Sequence, residues 1–259
     1  MGQKKAQSIG IFDSGIGGFS ILKQIHELAP DLNVYYIADS SFAPYGNKSK
    51  PEVVARSTYI TEQLLEFDLD LIVVACNTAT GIAIDELREN FNIPFVGVEP
   101  FINALSKHRW ESGDRGCVIT TELMSKTERF KNLKTRLDPD GRLFYRATPG
   151  LASIVEEFFS SKNEIVLRES LEEELSFVKE DAYTHLILGC THYPLIRKYI
   201  EDVSGARTLS PCPYVASRVL SLLKKDTDSS LVPISRFHFA ETKHDQALRF
   251  VSKDFSSLP

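Results

Sequence analysis

Two cysteines stand where a thiol can take part in chemistry, because each directly follows an apolar run typical of a buried strand. Cys76 and Cys190 are each followed by two polar residues that suit the start of a helix: Asn77 and Thr78, and Thr191 and His192. A helix N-terminus lowers the pKa of a thiol and also binds carboxylates. The carboxyl ends of parallel strands open onto the ligand crevice of α/β sheets. The pattern therefore predicts two reactive thiols in one site.

The alternative interpretation is structural, because a free cysteine is usually buried as a small hydrophobe. Cys117 and Cys212 lack the polar successors and are assigned to that role. A cysteine beside a histidine also suits a thiol hydrolase, here Cys190 with His192. That hypothesis leaves Cys76 unexplained. A binding protein without turnover is the non-enzymatic alternative.

Other polar segments follow the first two predicted strands. Asp13 precedes a glycine-rich turn and is either a helix N-cap or a carboxylate beside a thiol. The turn does not match a dinucleotide fingerprint, because Ser20 stands where the third glycine is required. The segment 43–47 is a turn and a candidate lid. No zinc site is predicted, because no Cys-x-x-Cys pair or second close histidine accompanies His192.

The elements that must position these residues alternate along the chain. Short apolar runs predict strands at 8–12, 34–38, 69–75, 95–98, 117–120 and 185–189. Apolar residues at helical spacing predict helices at 19–27, 51–67, 79–90 and 164–179, with a final surface helix at 243–255. Such alternation indicates an α/β protein with parallel sheets. The segments 69–76 and 183–190 share a strand-then-cysteine pattern, a weak sign of internal duplication.

Composition narrows the function classes. The 259 residues predict one to two domains, and a net charge of −5 argues against binding to nucleic acid. No apolar run is long enough to span a membrane or to serve as a signal peptide. Four cysteines without an export signal are expected to be free thiols. We therefore expect a cytoplasmic protein that acts on a small molecule.

Four blocks, read in order, resemble the glutamate racemases of the cofactor-independent aspartate/glutamate racemase superfamily. They are Phe12-Asp13-Ser14-Gly15-Ile16-Gly17-Gly18, Pro44-Tyr45-Gly46, Ala75-Cys76-Asn77-Thr78-Ala79 and Leu188-Gly189-Cys190-Thr191-His192-Tyr193-Pro194-Leu195. The resemblance implies two similar parallel-sheet αβα domains that face each other across a cleft. It places one domain at 1–97 with a returning segment at 208–259, and the other at 98–207.

The resemblance also implies roles for individual residues. Cys76 and Cys190 become the two acid/base thiols, Asp13 assists Cys76, His192 assists Cys190, and Glu156 is a further acidic helper. The positions that match substrate contacts are Ser14, Pro44, Tyr45, Gly46, Asn77, Thr78, Thr121 and Thr191. The implied reaction interconverts L-glutamate and D-glutamate without cofactor or metal, supplies peptidoglycan synthesis, and takes place in a homodimer. Two departures from the family pattern, Met124 and Thr148, leave the side-chain pocket and substrate preference open.

Overall fold

The computed structural model describes residues 7–223 and 233–259, in which strands and helices alternate along most of the chain. The strands are β1 (Ser8–Asp13), β2 (Asn33–Ala38), β3 (Leu71–Val74), β4 (Phe95–Gly97), β5 (Gly116–Thr120), β6 (Phe144–Ala147), β7 (His185–Gly189), β8 (Arg207–Leu209), β9 (Arg236–Glu241) and β10 (Val251–Asp254). The helices are α1 (Phe19–Leu28), α2 (Lys50–Leu64), α3 (Asn77–Asn90), α4 (Ala104–Lys107), α5 (Glu122–Ser125), α6 (Glu128–Leu137), α7 (Leu151–Ser161), α8 (Glu164–Glu174), α9 (Ser176–Glu180), α10 (Arg197–Ser204) and α11 (Cys212–Leu222).

The first sheet has the strand order β10-β9-β2-β1-β3-β4 and is parallel except for the antiparallel pair of β9 and β10. Its central strands are continuous apolar runs, as in β3, where all four residues are buried. Such runs are typical of parallel strands that are covered on both faces. Ile9 and Ile11 of β1 pack with α1 and α11, whereas Phe12 packs with α2 and α3 on the opposite face.

The second sheet has the strand order β6-β5-β7-β8, and all its strands are parallel. Ile119 and Leu188 pack with α7, α8 and α10 on one face, and Val118 and Ile187 pack with α5 and α6 on the other. We call the six-stranded sheet with its helices the first lobe (8–97, 212–223 and 233–259) and the four-stranded sheet with its helices the second lobe (116–209). Both lobes have helices on the two faces of a sheet, so the α/β class predicted from sequence is confirmed.

The predicted domain division stays a prediction, and residues 1–6 and 224–232 of its first domain lie outside the described residues. Its second boundary, between 207 and 208, falls inside β8. Thr208 and Leu209 therefore pair with β7 of the second lobe, although the division counts them with the first domain.

All six strands predicted from apolar runs are present, but the helix predicted at 243–255 is wrong. That segment is irregular up to β10, which pairs antiparallel with β9. Its apolar residues have helical spacing, yet Leu248 and Phe250 pack on one face of the first sheet and Phe255 on the other. Packing on the sheet edge therefore outweighs the local helical pattern.

The two lobes contact each other through α3 and the helices α5 and α6. Arg129 of α6 forms ion pairs with Asp85 of α3 at 2.5 Å and with Glu99 at 2.8 Å. Gly81 of α3 leaves room for Met124, because a Cβ atom at that position would lie 2.5 Å from the Met124 sulfur. Met124 is fully buried, so it acts in this structure as an apolar contact between the lobes.

Candidate active site

Cys76 lies at the N-cap of α3, directly after β3 and Ala75. The Ala79 amide donates a hydrogen bond to its Sγ at 3.5 Å, and its thiol donates to Ser14 Oγ at 3.8 Å. Burial raises the pKa of Cys76 well above the ordinary value, and the nearby Asp13 carboxylate raises it further, against the lowering effect of the Ala79 bond. Burial thus outweighs the helix N-terminus here, and Cys76 is a protonated thiol in this state of the site.

Asp13 ends β1 and is completely buried beside Cys76. Its Oδ1 accepts the Ser14 amide at 2.7 Å, and its Oδ2 accepts the Gly18 amide at 2.6 Å. Burial raises the pKa of Asp13 to about 6, although the positive charge of His192 opposes this shift. Gly18, not Asp13, occupies the N-cap of α1. Of the two interpretations of Asp13, the structure therefore supports the carboxylate beside a thiol.

Cys190 begins a chain of three side chains that all belong to the second lobe. Its Sγ lies 3.7 Å from His192 Nδ1, and His192 Nε2 lies 2.7 Å from Glu156 Oε1. Burial opposes a charge on His192, yet its hydrogen bonds with Cys190 and Glu156 raise its pKa well above the ordinary value. Burial also opposes a charge on Glu156, but the bond with His192 lowers the pKa of this carboxyl. His192 and Glu156 therefore form an imidazolium–carboxylate pair.

The two thiols belong to one site at the contact between the lobes. Ser14 Oγ accepts a hydrogen bond from the Cys76 thiol, and the Ser14 amide and hydroxyl donate to Asp13 Oδ1. Thr191 Oγ1 donates to Asp13 Oδ2 at 3.4 Å, and Ser20 of α1 donates to the Thr191 carbonyl at 2.9 Å. The segment after β7 is thereby held against the end of β1 and the start of α1 in the opposite lobe.

Glu156 also connects the lobes. Besides His192, its Oε1 accepts the Ile16 amide of the first lobe at 3.0 Å. A Cβ atom at Gly15 would lie 1.9 Å from that same oxygen, so the glycine-rich turn is shaped around the carboxylate. This gives the turn a role in seating Glu156, which differs from a nucleotide cradle.

The remaining predicted contacts lie around the thiols. Thr78 Oγ1 and Thr121 Oγ1 are 3.0 Å apart across the lobe contact. A Cβ atom at Gly46 would lie 3.1 Å from the Thr121 Cβ. Asn77 donates to the Val98 carbonyl at 3.3 Å, while its Oδ1 is buried without a hydrogen-bond partner in the described part of the chain. The candidate residues therefore gather on both sides of one contact surface.

Tyr45 differs from the others because its hydroxyl is already engaged. It donates to Asp39 Oδ2 at 2.7 Å, and the Tyr45 side chain is completely buried. The backbone of 45–46, rather than the Tyr45 hydroxyl, is thus what this segment presents toward Thr121. Sequence reasoning missed Asp39, although it follows β2 at the same sheet edge at which Asp13 ends β1.

Thr148, which like Met124 departs from the family pattern, also has a clear structural role. Thr148 is buried and its hydroxyl lies 2.8 Å from the Tyr193 hydroxyl, three residues after Cys190. Thr148 therefore contacts the segment that carries Cys190 through the Tyr193 hydroxyl.

The thiol site is closed, and a large groove lies elsewhere. Cys76 is 5% exposed and Cys190 7%. A groove of about 1150 Å³ lies between α2, α3 and α6 and contains neither thiol. The large volume of the groove would favour it as the active site, but in the described part of the chain both Cys76 and Cys190, with their acid/base partners, lie in the closed site. Within residues 7–223 and 233–259, no cluster of three or more His, Cys, Asp or Glu residues is arranged to hold a metal ion.

Two αβα lobes, each with a buried cysteine directly after a strand, define a class of protein: a two-lobed α/β protein whose closed site contains acid/base groups from both lobes. The Asp/Glu/Hydantoin racemase family model matches residues 9–219. Glutamate racemase of Herpetosiphon aurantiacus is 41% identical over 78% of this chain and 78% of its own, and glutamate racemase 2 of Bacillus subtilis is 36% identical over 77% and 74%. The chain belongs to the Asp/Glu/hydantoin racemase family, among its glutamate racemases.

Solved structures agree with this placement. Escherichia coli glutamate racemase, in complex with L-glutamate and the activator UDP-MurNAc-ala, matches with a TM-score of 0.81 at 27% identity, over 93% of this chain and 90% of that one. An isoform from Bacillus anthracis matches with a TM-score of 0.74 at 29% identity, over 85% and 83%. These likenesses extend over both lobes.

Proposed function

We propose that this enzyme, an isomerase, interconverts L-glutamate and D-glutamate without a cofactor: one of Cys76 and Cys190 removes the α-proton, and the other delivers its own proton to the opposite face. The observation that carries the proposal is the pair of buried thiols supplied by facing strand ends of the two lobes. Similarity to relatives named glutamate racemase and to a structure that holds L-glutamate supports the choice of substrate.

Inversion of the α-carbon requires removal of a proton on one face and delivery of another on the opposite face. With L-glutamate, Cys190 as thiolate takes the α-proton, and the Cys76 thiol donates its proton to the other face. With D-glutamate the roles are reversed. The raised pKa of Cys76 supports its role as the acid in the first direction. The imidazolium of His192 stabilises a thiolate on Cys190 through the 3.7 Å contact.

The α-proton of an amino acid is weakly acidic, so the site must stabilise the negative charge that develops at the α-carbon and its carboxylate. The amides at the start of α3 and the hydroxyls of Ser14, Thr78 and Thr191 are donors in the segments that surround the thiols. A well-placed donor of this kind contributes on the order of 3 kcal/mol. The unpartnered Oδ1 of Asn77 is suited to accept the substrate ammonium. The closed surroundings exclude water and strengthen each interaction.

The decisive experiment incubates the protein separately with L-glutamate and D-glutamate in heavy water and follows chirality and α-deuterium together. The proposal expects formation of the opposite enantiomer from either substrate, with deuterium in the product. Binding without deuterium uptake would favour the non-enzymatic alternative. Cleavage of an ester or amide substrate by Cys190, without racemisation, would favour the thiol hydrolase.

We extend the proposal to the setting of the enzyme. The product D-glutamate would serve peptidoglycan synthesis. The four buried cysteines, all free, support a reducing compartment such as the cytoplasm. Within the described residues, no helix has the length and apolar character needed to cross a membrane. A homodimer is the simplest closed assembly, and light scattering coupled to size exclusion would measure it.

A further inference from the structure

We propose that Asp39 is a positioning residue for the active-site loop, residues 40–47, and that Thr242 connects this loop to the C-terminal strand β9. The inference rests on the proposed function, because it assumes that the loop forms one wall of the glutamate site. Asp39 directly follows β2 and is completely buried.

The carboxylate of Asp39 is fully occupied by donors from three separate segments. Tyr45 in the loop donates its hydroxyl to Oδ2 at 2.7 Å. Arg56 of α2 donates Nε to the same oxygen at 2.9 Å and a second guanidinium nitrogen to Oδ1. Thr242, which follows β9, donates its hydroxyl to Oδ1 at 2.7 Å. Two carboxylate oxygens accept about four hydrogen bonds, so this group has no remaining capacity.

Thr242 binds the start of the active-site loop in addition to the Asp39 carboxylate. The Ser41 amide donates to Thr242 Oγ1 at 3.2 Å, and the Ser41 hydroxyl lies 2.8 Å from the same atom. The Thr242 amide in turn donates to the Ala38 carbonyl at 2.9 Å. One threonine from the end of β9 therefore fixes the exit of β2, the Asp39 carboxylate and the first turn of the loop.

The loop that this network holds faces the thiol site. Tyr45 packs in the same apolar cluster as Cys76. Gly46 contacts Thr121 of the second lobe so closely that a Cβ atom would lie 3.1 Å from the threonine Cβ. Asp39 itself contacts neither thiol in the described structure. Its loss should therefore weaken substrate binding more than proton transfer.

A matched pair of threonines makes this testable. Thr242→Val removes a buried hydroxyl that donates to Asp39 at 2.7 Å, and Thr208→Val removes one that donates to Glu201 at 2.7 Å in the second lobe. We expect Thr242→Val to raise KM for both enantiomers about tenfold, equivalent to about 1.4 kcal/mol, with kcat within about threefold of wild type. Thr208→Val should leave KM unchanged, and Thr242→Ser should restore it.

Arg56→Gln provides a second variant. The Arg56 side chain is 26% exposed, so its replacement by another polar side chain should leave the fold intact. It should raise KM in the same direction as Thr242→Val. Equal KM values in Thr242→Val, Arg56→Gln and wild type would overturn the inference, as would an equal rise in Thr208→Val. Absence of racemisation in the wild-type protein would instead refute the proposed function, so the two failures are distinguishable.

Discussion

Replacement of Glu156 by Gln tests whether the charge of this carboxylate contributes to turnover. The substitution keeps a carbonyl oxygen that can accept the His192 and Ile16 donors now bound at 2.7 and 3.0 Å, but it removes the negative charge. Hydrogen bonds to charged groups contribute about 1.5–3 kcal/mol and neutral ones about 0.5–1.5. The difference is about 1–2 kcal/mol, which corresponds to a loss of about 5- to 30-fold in kcat/KM.

The same substitution has a predictable sign on the pH profile. Glu156 helps to raise the pKa of His192, so its neutral replacement lets His192 lose its proton at a lower pH. The imidazolium that stabilises the Cys190 thiolate then disappears earlier as pH rises. We expect the alkaline limb of kcat/KM to move to lower pH in Glu156→Gln.

The assay measures initial rates in both directions by polarimetry across pH, with Glu157→Gln as the matched control. Glu157 is the next residue on α7, is exposed and undergoes the same chemical change. L- and D-glutamate have equal free energies in water, so kcat/KM must fall equally in both directions in any variant. A Glu156→Gln enzyme whose kcat/KM and alkaline limb match those of Glu157→Gln would refute the proposed role of the carboxylate.

Four further outcomes are expected. Cys76→Ser and Cys190→Ser should each abolish racemisation in both directions, and wild-type turnover in either would rule out the two-thiol scheme. Dialysed enzyme should stay active without added metal or pyridoxal phosphate, and activity that returns only with either additive would contradict this. Gly205 ends α10 with a φ of 74° and has open space around it. Gly205→Ala should therefore lower the free energy of unfolding, measured in urea, by roughly 1 kcal/mol, and Gly205→Asn should lower it less. Thr148→Val should lower stability by about 1–2 kcal/mol through loss of the Tyr193 hydroxyl contact, measured by the same unfolding experiment without a change in kcat.

The strands β1 to β5 and β7 were predictable from sequence, whereas β6, β8, β9 and β10 were not. Residues 71–74 are apolar without interruption, so β3 can be read directly from the sequence. The edge strand β6 alternates exposed and half-buried residues and includes Arg146. Its sequence therefore lacks the apolar run by which a buried strand is recognised. The strand β10 was mistaken for part of a helix because its pairing partner β9, and not its own pattern, determines its conformation.

The thiols were predictable because the local sequence determines their position: each follows a strand and precedes polar residues that suit the start of a helix. Glu156 could be placed only through the family resemblance, since it comes from the middle of α7 and meets His192 through tertiary packing. The raised pKa of Cys76 was not predictable either. Local sequence indicates the helix N-terminus that lowers the pKa, but the burial that raises it exists only in the folded chain.

The return of the chain to the first sheet has a consequence for the order of folding during synthesis. Asp39 and its partner Thr242 are 203 residues apart in the chain, whereas the second sheet is built from one continuous segment between Gly116 and Leu209. Long-range pairings form late because closing such a loop costs chain entropy. A nascent chain that ends before β9 therefore contains Cys76, Cys190 and the whole second sheet, but its active-site loop lacks the Thr242 anchor. We expect full substrate affinity only after β9 and Thr242 have left the ribosome, so translation of this segment determines when the enzyme binds its substrate tightly.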